Sequence, residues 1–195
     1  MNKARTNNLL PELRKGRVHE ISGPAALSFA LLMTRPGEAM VCGPPRWLSA
    51  LHPESVGRFF DPNSILLTPC PLDTDVLWAA ENALRAGCIK TVFIVTDKSP
   101  GLTNFRRLQL AALAGKSLGL MIVNRPAHST AAETRWHCAP SYADQSGKIR
   151  IHASLYKNKR GNIGSWIINV FGEEDTLYLD AAPAGEPVWP NRIAG

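Results

Sequence analysis

The period of the apolar residues changes partway along this chain, and that change constrains the fold more than any other feature. Residues 91–95 and 120–123 are almost unbroken apolar runs, the pattern of strands covered on both faces. A helical stripe precedes each of them. Val76, Leu77, Ala80, Ala83 and Leu84 recur at helical spacing between Asp73, which suits an N-terminal cap, and Gly87, which suits a left-handed C-terminal cap. Behind Thr103 as a second cap, Phe105, Leu108, Ala112 and Leu113 are expected to face inward. From Thr134 onward the period becomes two: Ile149, Ile151, Ala153 and Leu155 alternate with Arg150, His152, Ser154 and Tyr156. Two more strands are expected near 166–171 and 176–179. Upstream, strands at 17–22, 38–42 and 64–68 enclose a helix at 25–34 and a broken helix at 46–60 that restarts at Pro53. Strand–helix alternation followed by a run of strands predicts an α/β fold. Its sheet is mainly parallel, flanked by helices, with a C-terminal antiparallel β extension.

With 195 residues, 45% of them hydrophobic and 19% charged, the chain is long and apolar enough for one ordinary core. We expect one domain over 17–180, after a loose basic lead-in at 1–16. An irregular tail is expected at 181–195, where three prolines and two glycines fall. The longest apolar stretch, 25–33, is about half of the roughly 20 residues a membrane span needs, and the N-terminus has no apolar signal core. Cys42, Cys70, Cys88 and Cys138 form no C-x-x-C pair and no zinc-finger spacing with histidine, so they read as buried free thiols. A cytoplasmic location follows as an expectation.

Catalytic signatures fail where the topology wants them. The turn after the first strand has the place of a phosphate loop. The loop needs G-x-x-x-x-G-K-[ST], so that backbone amides wrap the phosphates and the lysine brings charge. After Gly23 the next glycine is Gly37, and no lysine lies near. Gly115-Lys116-Ser117 spells the end of that motif, but Leu110 stands where its first glycine should be, at the end of a helix rather than the start. It reads as a glycine-capped helix end with a lysine near the negative end of the dipole. Asp97 ends a buried strand where many α/β enzymes hold a metal, yet reads as a turn residue without a phosphate loop. The five histidines form no ligand set, and neither G-x-S-x-G nor G-x-G-x-x-G occurs. The sequence argues against an enzyme, and for no cofactor and no metal.

What remains is charge. The net charge is +6, which permits binding to nucleic acid or to an acidic partner. Lys148, Arg150, Lys157, Lys159 and Arg160 cluster on one hairpin beside Tyr156, and Arg106 and Arg107 add a basic patch at a helix start. These seven are the candidate contacts to DNA or a protein partner. A solvated polar face is the alternative. Glu173, Glu174, Asp175 and Asp180 follow closely and offset part of the charge.

Several short motifs carry a family resemblance. Val18-His19-Glu20-Ile21-Ser22-Gly23-Pro24 resembles the strand and turn before the nucleotide loop of RecA-type recombinases. Residues 73–96 resemble the helix and strand leading to their second metal-site motif, with the aspartate one place late at Asp97. Tyr156-Lys157-Asn158-Lys159 is similar to the Lys-Asn-Lys element that recombinases present to ATP across a subunit interface. Three further stretches occur in order: Arg106-Arg107-Leu108-Gln109-Leu110-Ala111-Ala112, Ala132-Glu133-Thr134-Arg135-Trp136 and Gly164-Ser165-Trp166. Together they resemble the ImuA family of RecA-like mutagenesis accessory proteins, over about residues 17–180. The related SulA division inhibitors resemble the middle of the chain, as far as about Tyr156. The continuation through Trp166 favours ImuA.

The resemblance implies a RecA-like core with a degenerate phosphate loop. It further implies a non-catalytic component of an SOS-induced translesion-synthesis mutasome. The implied partners are an ImuB-like inactive polymerase homologue, an error-prone replicative-type DNA polymerase and RecA, with DNA contact through the basic hairpin left open. The alternative it carries is a SulA-like inhibitor that binds the tubulin-like division-ring protein. Residues 109–113 also resemble a sliding-clamp peptide, but they fall inside a helix.

Overall fold

A computed structural model describes residues 10–34, 37–49, 51–57, 61–141, 149–173 and 176–185. Lys148, Glu174, Asp175 and residues 186–195 lie outside them. In chain order the elements are β1 (Arg17–Ser22), α1 (Ala26–Met33), β2 (Ala39–Gly43), α2 (Pro45–Leu48), α3 (Pro53–Val56), β3 (Ile65–Pro69), α4 (Asp73–Ala86), β4 (Thr91–Lys98) and α5 (Leu102–Gly115). Then follow β5 (Leu118–Arg125), β6 (Thr134–Ser141), β7 (Ile149–Asn158), β8 (Gly164–Glu173) and β9 (Thr176–Gly185).

The strands form one sheet in the order β3-β2-β4-β5-β1-β6-β7-β8-β9. Pairings from β3 across to β6 are parallel, and β6 to β9 pair antiparallel. This is the expected architecture, and β4 shows why. Phe93 and Val95 point into one apolar cluster while Val92 and Ile94 point into another. The first cluster packs α1 against the sheet through Phe29 and Ala30; the second packs α4 and α5 through Val76, Leu84, Phe105 and Leu108. A strand with helices on both faces has no polar side to show, hence its continuous apolar run.

Some local expectations shift. Leu72, not Asp73, is the N-terminal cap of α4; Asp73 and Asp75 lie in its first turn, where negative charge suits the helix dipole. Gly101 rather than Thr103 precedes α5. Along α5, Ala111 takes the inward place and Leu113 is half exposed. On β7 the expected polar face is partly closed, since Ser154 and Tyr156 are buried.

The expected irregular tail gives way to strand as far as Gly185. β9 is one of the two edge strands, so Pro183, opposite Trp166, costs the sheet little. The lead-in is tied down from Leu10, which is buried in the core, and the Gly16 amide donates to the Ser117 carbonyl. Cys42, Cys70 and Cys138 are buried, but Cys88 is exposed. Burial pushes the Cys42 thiol up to about 12, so at neutral pH it stays protonated.

In Gly115-Lys116-Ser117, at the end of α5, the glycine has a different job from capping. Lys116 itself takes the left-handed conformation, at φ 53°. Gly115 is required because a Cβ there would lie 1.9 Å from the Leu84 carbonyl oxygen on α4. Gly115→Ala is expected to push the two helices apart and cost about 1–3 kcal/mol, read as a lower urea midpoint.

Candidate functional site

The turn from β1 to α1 is closed by the protein itself. Gly23 has φ +93°, and a Cβ on it would sit 2.3 Å from the Cys138 carbonyl oxygen. The Ala25 amide donates to that same carbonyl at 3.0 Å, and the Ala26 amide to Gly23 at 3.0 Å. Two amides at this helix start, those of Ala25 and Ala26, are thus spent on β6 and on the turn rather than offered to a phosphate. At the carboxyl edge of the sheet, Asp97 accepts from Asn124 and pairs with Arg125, and these bonds hold its carboxyl below the usual range. Among the described residues, no group of three His, Cys, Asp or Glu has the geometry of a metal site.

The polar chemistry lies instead where β5 connects to β6. Both strands flank β1, so residues 126–133 must cross it without a ladder of their own. Carbonyls on such a segment need donors, and basic side chains supply them. Arg135 donates to the Ala127 and His128 carbonyls, Lys157 to Thr130 at 2.6 Å, and Lys159 to Ala131 at 2.8 Å. Gln109 on α5 donates to Ala131 and to Val18, and accepts from the Val18 amide. Arg135 is held in turn by Glu20, its register partner on β1, through Nε to Oε1 at 2.7 Å. Ser99 Oγ donates to the other Glu20 oxygen at 2.6 Å, and Tyr156 lies under the guanidinium at 5.0 Å. Burial and the Arg135 charge lower the Lys157 ammonium from its ordinary range.

A second buried chain adjoins the first. Trp136 Nε1 donates to Thr134 Oγ1, which donates to His19 Nδ1 at 2.7 Å; His19 Nε2 donates to the Arg14 carbonyl at 3.2 Å. A neutral ring satisfies these bonds, and burial lowers the His19 pKa to about 4. The unfolded chain takes up that proton near 6.5, so the stabilising contribution is complete above about 6.5 and is lost as pH falls to about 4. The protein is expected to lose up to about 3 kcal/mol over that window from this group. Melting temperatures of the native chain and His19→Gln at pH 7 and at pH 4.5 check it, the variant showing the smaller drop.

Over this network opens a cavity of about 640 Å³, ringed by Arg17, Arg106, Lys159 and Arg160, with Leu110 and Glu133 in its lining. Glu133 is buried and is approached by Arg14 at 3.4 Å and by Arg17 and Arg160 at 3.5 Å each. Three of the seven candidate cations, Arg106, Lys159 and Arg160, therefore meet here. Lys157 is absorbed by the crossover. Arg107 turns to Glu81 on α4 at 2.7 Å, and Arg150, at the far end of β7, donates to Asn169 at 2.9 Å. The seventh, Lys148, lies outside the described residues. Sequence reasoning assigned no role here to Arg17, Glu133, Gln109, Glu20 or Arg135. Charged residues inside the strand patterns of β1 and β6 were the available signal, since a charge in a buried strand requires a partner.

No protein-family model matches the chain, and no curated protein matches it. Among solved structures, the crystal structure of SulA from Pseudomonas aeruginosa is similar at 21% identity, with a TM-score of 0.42, over 56% of this chain and 98% of that one. A KaiC-like protein from the hyperthermophilic archaeon Pyrococcus horikoshii is similar at 10% identity, with a TM-score of 0.49, over 85% of this chain and 90% of that one.

Proposed function

We propose that this chain is a non-catalytic, RecA-like docking component of an SOS-induced mutagenesis assembly, acting with an ImuB-like inactive polymerase, an error-prone DNA polymerase or RecA. The observation that carries the non-catalytic part is the β1–α1 turn, whose Ala25 and Ala26 amides are bonded to β6 and to the turn itself. The assignment to a mutasome rests on the ImuA-like motifs. They are far apart in sequence yet meet in space: Gln109, Glu133 and Arg135 build the crossover network, and Trp136 packs on Trp166 at 5.7 Å. A docking role also suits the exposed apolar groups along the β3 edge, Leu66 and Leu67, with Leu72 and Trp78 on the segment that follows.

The tagged full chain, recovered from DNA-damaged cells, is expected to bring down one of those three partners. Recovery of the division-ring protein instead moves the chain to the SulA-like class. Recovery of neither removes both readings. The purified protein is also expected to bind no ATP in equilibrium dialysis. ATP binding that disappears on replacing Lys157 and Lys159 would restore a recombinase-like ATPase.

A further inference from the structure

The basic cavity over the crossover has the chemistry of a binding site in its own right. Arg17, Arg106, Lys159 and Arg160 surround it, and one carboxylate, Glu133, answers them within its lining, where Arg14 also approaches it. Arg106 projects from α5 with no ion pair among the described residues, and its neighbour Arg107 is drawn off to Glu81. One turn along α5 from Arg106 stands Leu110, 65% exposed and in the cavity lining. A large apolar side chain left in water beside a ring of cations asks for an apolar group and an anion together. The frame is rigid, because Gln109, Lys157, Lys159 and Arg135 all pin the crossover that forms one wall. A preorganised wall lowers the ordering cost of binding.

We propose that this cavity takes an acidic peptide segment of a partner protein. Its carboxylates would meet Arg106, Lys159 and Arg160, and one apolar side chain would seat on Leu110. Nucleic acid fits less well. Single strands are held by aromatic platforms along a basic track, whereas among the described residues no aromatic side chain lines this cavity and its cations converge on a bowl. Arg150, which would extend a track along the hairpin, lies at the other end of β7 and bonds to Asn169. The inference rests on the docking reading only in needing a protein partner; it does not depend on which assembly supplies one.

The test is fluorescence anisotropy of the purified full chain with a labelled peptide of about twelve residues, built from Asp and Glu with Leu and Phe interspersed. Saturable binding is expected at physiological salt, weakened about tenfold or more by Arg106→Glu and about fivefold by Leu110→Asp. Arg150→Glu, the same charge change away from the cavity, should leave affinity within about twofold. Circular dichroism melts confirm that each variant folds. Absence of saturable binding overturns the proposal, as does an equal loss from Arg106→Glu and Arg150→Glu. So does equal binding of a peptide with Ser in place of Leu and Phe, or tighter binding of a single-stranded oligonucleotide with the same Arg106 and Leu110 dependence. Peptide binding without recovery of SOS proteins from cells would sink the mutasome assignment alone. Recovery of those proteins unaffected by Arg106→Glu would sink the cavity alone.

Discussion

Arg135→Met is expected to destabilise the protein by about 3–5 kcal/mol, because the substitution strands Glu20 as a buried charge without its partner. Glu20 is fully buried and Arg135 nearly so, and they are joined by a 2.7 Å bond across adjacent parallel strands. Removing the guanidinium leaves Glu20, among the described residues, with the Ser99 hydroxyl as its hydrogen-bond donor, and deprives the Ala127 and His128 carbonyls of the Arg135 donor. Both losses fall on the same wall, so the crossover should loosen along with the global drop. Adding Glu20→Gln should return part of the loss, because a neutral amide is far cheaper to bury than an unpaired carboxylate. Urea unfolding of the two single variants and the double variant checks this. Losses that simply add would show that the pair is not coupled. Recovery in the double variant assigns the cost to the stranded charge rather than to missing packing.

The same pair shows how far the sequence alone reaches. The strands β4 and β5 are legible because burial on both faces leaves a continuous apolar run, a local signal. Glu20 and Arg135 lie 115 residues apart, and only the placement of β6 beside β1 brings them into register. Nothing near either residue announces the other. The basic run that ends β7 is legible as charge, but its destination is not: Lys157 and Lys159 go to the carbonyls of a crossover whose path depends on strand order. Periodicity also errs where two residues compete for one face. On α5 the small Ala111 fits beneath the helix and the larger Leu113 is left half exposed. The tail misleads for a related reason: Pro183 reads as a breaker unless the strand is known to be an edge.

Trp136→Ala should be as damaging, at about 3–5 kcal/mol, but through the opposite face of the sheet. The indole is wholly buried, 4.9 Å from the Phe29 ring on α1 and 5.7 Å from the Trp166 ring on β8. It thus bridges the parallel half of the sheet, the antiparallel extension and the helix over them. Its Nε1–H also satisfies Thr134 Oγ1, the hydroxyl that donates to His19. Truncation opens a cavity that the rigid sheet cannot close, and for a domain of this size a fall of about 2–4 °C in melting temperature is expected per kcal/mol lost. Trp136→Phe keeps most of the ring contact and removes the donor, so it should cost only about 1–2 kcal/mol. Hydrogen exchange adds a local reading. In Trp136→Ala the α1 amides should lose more protection than those of α5, because Phe29 packs on the indole while Phe105 and Leu108 belong to the cluster on the other face. Equal loss in both helices would mean that the two faces unfold as one unit and that the indole does not hold α1 in particular.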